Sequence, residues 1–339
     1  MGITIDEIAL KAGVSIATVS RALNNNGSIR KETRERIIQI ANNSNYKPNS
    51  IARSLSRKQT DTIGVILPEL VDEFFMGIVR AIEEESYKNK RYILISSSRS
   101  QRSTVETLLE FMGSGRVDGV ILMAPKMYRE IPVLIHKSKR PVVLLNKSKE
   151  EDGVVSFNIN NYQGAFTVVQ HLIEHGYKNI GMIQGPERNC EAEERFRGFK
   201  DALIQNNLQL EKSLIVTGNF RAKSGYYGFS RLMSQPKKPD AIFCANDMMA
   251  TGAYKAARSS HIKIPQDVAV VGFDDIYLSR LLIPRLTTVH VPIEELGTNA
   301  VRYLLKMISG EVDPDRPYFE EFSTGLVIGG SCGCVNDMD

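Results

Sequence analysis

Three groups of residues have types and spacings that could do chemistry. Along Ser15 to Asn24 a helical period turns Val19, Ala22 and Leu23 to one side. It leaves Ser15, Ile16, Ala17, Thr18, Ser20, Arg21 and Asn24 on the other. Short hydroxyls suit phosphate oxygens, small apolar groups suit thymine methyls, and an arginine can pair bidentately with guanine. A plain solvated amphipathic helix would carry the same period. The second group stands beyond short apolar runs: Phe74, Phe75, Asn146, Phe220, Asn246 and Asp274, with Arg195 expected to open a helix beyond one of them. Aromatic plates with amides and charges fit a hydroxyl-rich or heteroaromatic small molecule, although Asn and Asp after strands also serve as helix caps. The third group is His171-Leu172-Ile173-Glu174-His175, an H-x-x-E-H pattern. With a third ligand such a pair could hold zinc, but Gly176 follows at once and a packing helix is expected. Cys332-Gly333-Cys334 reads as structural or incidental, so neither metal nor cofactor is expected. Gly113 to Asp118 misses the dinucleotide fingerprint because Asp118 takes its last position and no strand leads into it, and no P-loop occurs.

The elements that must position these groups fall into two parts. Thr4 and Glu7 form a capping-box pattern, followed by an apolar face of Ile5, Ile8, Ala9 and Ala12, and Gly13 breaks this first helix. Ser15 can cap a second helix over 16–24, giving two short helices about a Gly-containing turn, a helix-turn-helix unit. A third helix over 31–44 should bury Ile37, Ile38 and Ala41. In the stretch from Tyr46 to Lys58, Pro48 ends what precedes it and Asn49 can cap a further short helix with Ala52 and Leu55 on one face. A helix so short is marginal alone and could order only against DNA and a partner copy. From Thr62 onward β-branched runs (63–67, 92–96, 119–123, 142–145, 180–183, 241–244, 268–271) alternate with amphipathic helices such as 75–88 and 163–175. So many parallel strands predict two doubly wound lobes with a cleft between them, and ligands in such sheets sit beyond the strands' carboxyl ends.

Charge divides the chain at the same place. Residues 1–60 hold ten Lys/Arg and four Asp/Glu, net +6, whereas residues 61–339 hold 33 and 35, net −2. A basic head on a near-neutral body fits a head that alone meets a polyanion. Four scattered cysteines do not make a disulfide framework, and no apolar run nears the roughly eighteen residues of a membrane span. Asp6 and Glu7 near the start argue against an export leader, so a cytoplasmic protein is expected.

The stretches VSIATVSRALN and YKPNSIARSL resemble the signature of the lactose-repressor/galactose-repressor family of bacterial transcriptional regulators, and the resemblance runs over essentially the whole chain. It implies an all-α helix-turn-helix domain (1–46), a hinge helix or linker (47–60) and a periplasmic-binding-protein-like α/β body of two lobes (61–339) that binds effector and dimerises. It implies that Ile16, Ala17 and Arg21 enter the major groove, and that Thr4, Ser15, Thr18, Ser20, Asn24, Thr33, Tyr46 and Asn49 contact phosphates. The hinge, with Ala52 and Leu55, would lie in the minor groove, Leu55 wedging into the central base step. Phe74, Phe75, Asn146, Arg195, Phe220, Asn246 and Asp274 map onto the effector pocket. Asn146 stands where several sugar-binding members have Asp, and Val291 where Gln is frequent, which argues against a simple hexose or pentose. The implied function is a DNA-binding regulator, a repressor by resemblance, that binds a pseudo-palindromic operator as a homodimer under control of a sugar or related metabolite. Inducer and corepressor both fit. A transport-type binding protein would lack the basic head, and an enzyme would need a reactive constellation better than the H-x-x-E-H decoy.

Overall fold

The Thr4 amide donates to Glu7 Oε2 at 2.9 Å and the Glu7 amide to Thr4 Oγ1 at 3.3 Å, so the capping box opens α1 (Ile5–Ala12), which ends at Gly13. Ser15 Oγ accepts from the Thr18 amide at 3.2 Å and starts α2 (Ile16–Leu23); α3 spans Lys31–Asn43. This computed structural model describes residues 3–23, 29–46, 59–68, 70, 73–97, 104–123, 130–136, 140–146 and 153–334. Ile8, Ala9, Ala12, Val19, Ala22, Ile37 and Ala41 make the small core of the head, and Arg36 donates to the Ala12 carbonyl at 2.8 Å to tie α3 to the end of α1. Ile38, expected inside, is 39% exposed. Ile37 and Ala41 lie four apart on the buried stripe, Ile38 falls about 100° round the helix from Ile37, and Ile40 packs against the core instead.

The chain divides into two compact units, Met1–Thr60 and Asp61–Asp339. The second begins with β1 (Thr62–Leu67), α4 (Glu73–Lys88), β2 (Tyr92–Ser97), α5 (Thr104–Gly113), β3 (Gly119–Met123), α6 (Glu130–His136), β4 (Val142–Leu145) and β5 (Val155–Ile159). It continues with α7 (Asn161–Glu174), β6 (Ile180–Gln184), α8 (Cys190–Gln205), β7 (Ile215–Thr217), α9 (Ala222–Met233), β8 (Ala241–Cys244), α10 (Asp247–Ser259) and β9 (Ala269–Val271). Then come α11 (Tyr277–Arg280), β10 (Thr288–His290), α12 (Ile293–Ser309), β11 (Tyr318–Phe322) and β12 (Gly325–Val327).

Two parallel sheets result, in the orders β11-β5-β4-β3-β1-β2 and β7-β6-β8-β9, with an antiparallel β10–β12 ribbon. Every residue of β3, β4 and β5 is buried, as expected of parallel strands covered on both faces. The lobes are not consecutive in sequence. The chain passes from the first sheet to the second after β5, returns with α12, which packs on α4, β3, β4 and β5, and crosses again after β11. Arg302 of α12 donates to Glu85 of α4 at 2.9 Å, and this pairing holds the buried Glu85 carboxyl below its ordinary range. No helix among the described residues is long and apolar enough to cross a membrane.

Candidate DNA-reading face and effector site

On α2 the buried residues are Val19 and Ala22, with Leu23 half-buried. Ile16 is 47% exposed, and Ala17, Arg21, Ser15 and Thr4 are exposed beside it. Thr18, Ser20 and Thr33 are half-buried. Ser15 Oγ lies 2.9 Å from Thr18 Oγ1 as well as capping the helix, so its placement is set by the turn itself. Tyr46 packs against the core of the head, and burial raises its hydroxyl pKa. The face is therefore a shallow array of hydroxyls, one isoleucine, one alanine and one arginine. Asn24, Asn49, Ala52 and Leu55 lie outside the described residues.

In the body, the order of succession of the strands reverses in each sheet between its first and third strands, at β1/β3 and at β6/β8, the switch points beyond whose carboxyl ends ligands of such sheets bind. Phe220 stands at the second of these. Its ring packs over Gly185, directly after β6, where any Cβ would run into it. Asn246 holds it there: Nδ2 donates to the Phe220 carbonyl at 3.1 Å, while Oδ1 accepts the Met249 amide and caps α10. Contrary to the sequence expectation, Arg195 does not open its helix. It sits in the second turn of α8 and is 2% exposed. Its Nε donates to Asn161 Oδ1 at 2.8 Å and a terminal nitrogen to the Ala245 carbonyl, after β8, at 2.6 Å. Its other terminal nitrogen pairs with Asp274 Oδ1 at 3.2 Å. The guanidinium lies 3.8 Å over the Phe273 ring and 5.7 Å from the centroid of Phe220.

From Arg195 the network runs into the first lobe. Asn161 Nδ2 donates to Asn146 Oδ1 at 3.2 Å, and Asn146 Nδ2 donates to Glu191 Oε1 of α8 at 2.5 Å. Asn146, Asn161, Glu191, Arg195 and Asp274 are all buried. Asn146 (φ 52°), Phe220 (φ 64°) and Asp274 (φ 113°) all adopt positive φ, a concentration of costly backbone at one site. Beside them Asp247 is fully buried; burial first, then Asp274, push its carboxyl well above the usual range. A second bridge between lobes comes from Glu73 at the start of α4, whose carboxylate accepts the Tyr277 and Leu278 amides at 2.6 and 3.3 Å. Next to it Phe74 and Phe75 meet edge to face at 5.5 Å. Phe74 is 6% exposed and belongs to the core, so Phe75, half-buried, offers the more accessible ring. Val291 is buried.

The structure thus joins Asn146, Arg195, Asp274, Asn246 and Phe220 in one constellation. It adds Asn161, Glu191, Phe273 and Glu73, which strand-end reasoning did not select. Asn161 follows β5, which lies outside the strands expected from apolar runs and is signalled in the sequence only by its Val-Ser-Phe-Asn-Ile alternation.

Residues 4–49 match the family described as bacterial regulatory proteins, lacI family, and residues 169–332 match a periplasmic binding protein-like domain. The chain is 34% identical over 317 residues to catabolite control protein A of Staphylococcus xylosus, covering 94% of this chain and 95% of that protein. It is 32% identical over 307 residues to the HTH-type transcriptional repressor PurR of Histophilus somni, covering 90% and 92%. Its structure superposes on the Lac repressor dimer bound to operator and the anti-inducer ONPF with a TM-score of 0.89 at 27% identity, covering 98% and 99% of the two chains. A complex of the transcriptional regulator CelR with cellobiose gives 0.74 at 28% identity, covering 97% and 99%.

Proposed function

The chain belongs to the lacI family of bacterial regulatory proteins, and on that footing we propose that its head reads a pseudo-palindromic operator while its two-lobed body senses a small molecule. It is a sequence-specific DNA-binding transcriptional regulator, not an enzyme. The exposed Ile16, Ala17 and Arg21 on the second helix of the helix-turn-helix carry the reading, because a merely solvated helix has no need of small apolar groups beside one arginine. Thr4, Ser15, Thr18, Ser20, Asn24, Thr33, Tyr46 and Asn49 take the phosphates, giving affinity that falls steeply with salt. We assign residues 1–46 to the head, 47–60 to a hinge helix and 61–339 to the sensor, with Ala52 and Leu55 in the minor groove at the operator centre. The protein acts in the cytoplasm as a homodimer. Apolar side chains left exposed by the single chain, Tyr92 and Leu94 on the edge strand β2 and Leu281 and Ile283 in the second lobe, supply surface for the second copy.

The effector, a sugar or related hydroxyl-bearing metabolite, sits at the Arg195–Asp274 end of the buried relay with Phe220 and Phe75 against its faces. Control follows if it binds one arrangement of the lobes better than another. The relay supports this, because Asn146 of one lobe is bonded to Glu191 and Asn161 of the other side. Selection of bound duplexes from a randomised DNA pool tests the reading. A palindrome with a fixed central step is expected, with no effector or with metabolite extract added. A pool unenriched under both conditions would show that the head does not read DNA.

A further inference from the structure

Four metal-ligating side chains meet outside the effector site. His171 lies in the last turn of α7 and His175 caps the same helix four residues on, so the two imidazoles leave one face, 4.5 Å apart between ring centroids. The chain's closing turn (Gly330–Cys332), with Gly333 and Cys334 after it, returns to that face. Cys332 Sγ is 3.3 Å from His171 Nε2; Cys334 Sγ is 3.7 Å from the same nitrogen and 3.3 Å from His175 Nε2. The donor atoms of His171, Cys332 and Cys334 all fall within 4.8 Å of one another. A tetrahedral zinc with bonds of about 2.3 Å to sulfur and about 2.0 Å to nitrogen sets its N and S donors about 3.5 Å apart. The observed separations straddle that value.

We propose that His171, His175, Cys332 and Cys334 form a structural zinc site that fastens the C-terminal turn to α7. On binding, the two thiols lose their protons to solvent and the imidazoles ligate through neutral Nε2, so the two thiolates balance the charge of Zn²⁺. Two thiolates with two imidazoles select zinc over hard cations such as Mg²⁺ or Ca²⁺. Four protein ligands leave no open position, which makes the site structural rather than catalytic. Glu174, the acid of the H-x-x-E-H pattern, accepts from Gln170 Nε2 at 3.0 Å along the helix and takes no part.

The surroundings are those of a supported site. Thr287 Oγ1 accepts the Gly329 amide at 2.9 Å and has its one proton within reach of both Cys332 Sγ at 3.1 Å and the Gly329 carbonyl at 3.0 Å, and the Tyr177 hydroxyl donates to the Cys332 carbonyl at 3.0 Å. Gly333 has φ 93°, which lets the chain turn between the two cysteines, and a Cβ there would crowd the Tyr177 hydroxyl at 3.2 Å. This differs from the sequence expectation of no metal, because the two histidines and two cysteines meet only through the return of the chain end.

The test uses the reduced full-length protein, stripped with a chelator and titrated with Co²⁺, then with Zn²⁺. One Co²⁺ per chain is expected, with a thiolate-to-cobalt charge-transfer band and the intense visible bands of tetrahedral coordination, both abolished as Zn²⁺ displaces it. Cys334→Ser and His175→Gln change partly exposed positions; both should keep the far-UV circular dichroism of the parent and bind at least about tenfold more weakly. Added Zn²⁺ should raise the Tm of the parent and not that of Cys334→Ser. A weak octahedral cobalt spectrum, or affinity unchanged in Cys334→Ser, would overturn the proposal, as would a Tm indifferent to Zn²⁺ in the parent.

Discussion

Arg195 is a guanidinium taken almost wholly out of water, and Asn161, Ala245 and Asp274 replace its hydration. Breaking such a pair leaves an uncompensated buried charge, so Arg195→Ala should cost about 3–5 kcal/mol in urea denaturation. Adding Asp274→Asn should return a good part of it; strictly additive losses would mean that the two groups do not interact. Asp247 makes a different prediction. Its native pKa is raised above the ordinary 3.8, so the fold favours the protonated form. That contribution is complete below the ordinary value and is lost as pH rises toward the raised native value. Asp247→Asn imitates the protonated acid toward Thr288 Oγ1 and the Ile276 amide. It should match or exceed the parent's stability in mild alkali and flatten the parent's decline. Asp247→Ala, which strands the Ile276 N–H, should lose about 1–3 kcal/mol at every pH. A parent whose stability relative to Asp247→Asn rises with pH through this range would contradict the assignment. Asp274 and Asn146 could be selected from sequence because each lies near a recognisable strand end, and Arg195 because the family resemblance maps it onto the pocket. Asn161 is signalled only by the alternation of β5 before it, and Glu191 could not be selected, since its role depends on the side chain that meets it. The same holds for His171 and Cys332, separately unpersuasive and 161 positions apart.

At the scale of elements, apolar runs announced the buried strands well: 119–123, 142–145 and 241–244 coincide with β3, β4 and β8. Of the strands that escaped, two have polar content or a distant partner. In β5, Ser156 and Asn158 are buried and bonded to each other at 3.0 Å, so alternation there does not mean a wet face. Edge strand β11, Tyr-Phe-Glu-Glu-Phe, is recruited from far along the chain to complete the first sheet beside β5. The helix-turn-helix was legible because its signals are local: a capping box, a glycine stop and a serine cap. If α2 reads bases and the hinge reads shape, their effects must separate. Arg21→Ala should relax selection at a half-site position by about 1–3 kcal/mol and leave the central step unchanged. Leu55→Ala should reduce bending and central-step preference with the half-sites unaltered. Circular-permutation gel shifts and sequencing of the selected pools measure the two; a Leu55→Ala protein that bends operator fully would remove the wedge from the account.

Over the whole molecule, the three passages between the sheets make a hinge that no local pattern could reveal, because it exists only once β11 and α12 have joined the first lobe. Across the crevice, Glu73 caps the Tyr277 and Leu278 amides and Asn146 holds Glu191. If the lobes part, as the proposed control requires, both ties must break, so they favour the closed arrangement. Glu73→Ala removes one of them at a half-buried position, a loss of about 1 kcal/mol, and shifts the balance toward open by about fivefold. Amide exchange at Tyr277 and Leu278 should speed up accordingly. An effector that touches Phe75 on one lobe and Arg195 on the other also favours closure. Glu73→Ala and effector therefore push the same equilibrium in opposite directions. Whichever way the effector moves operator affinity, Glu73→Ala measured without it should move that affinity the other way, and should weaken effector binding by reducing the closed fraction. Operator titrations of parent and variant, with and without effector, decide the matter: shifts of the same sign would mean that lobe closure is not the variable that DNA binding senses.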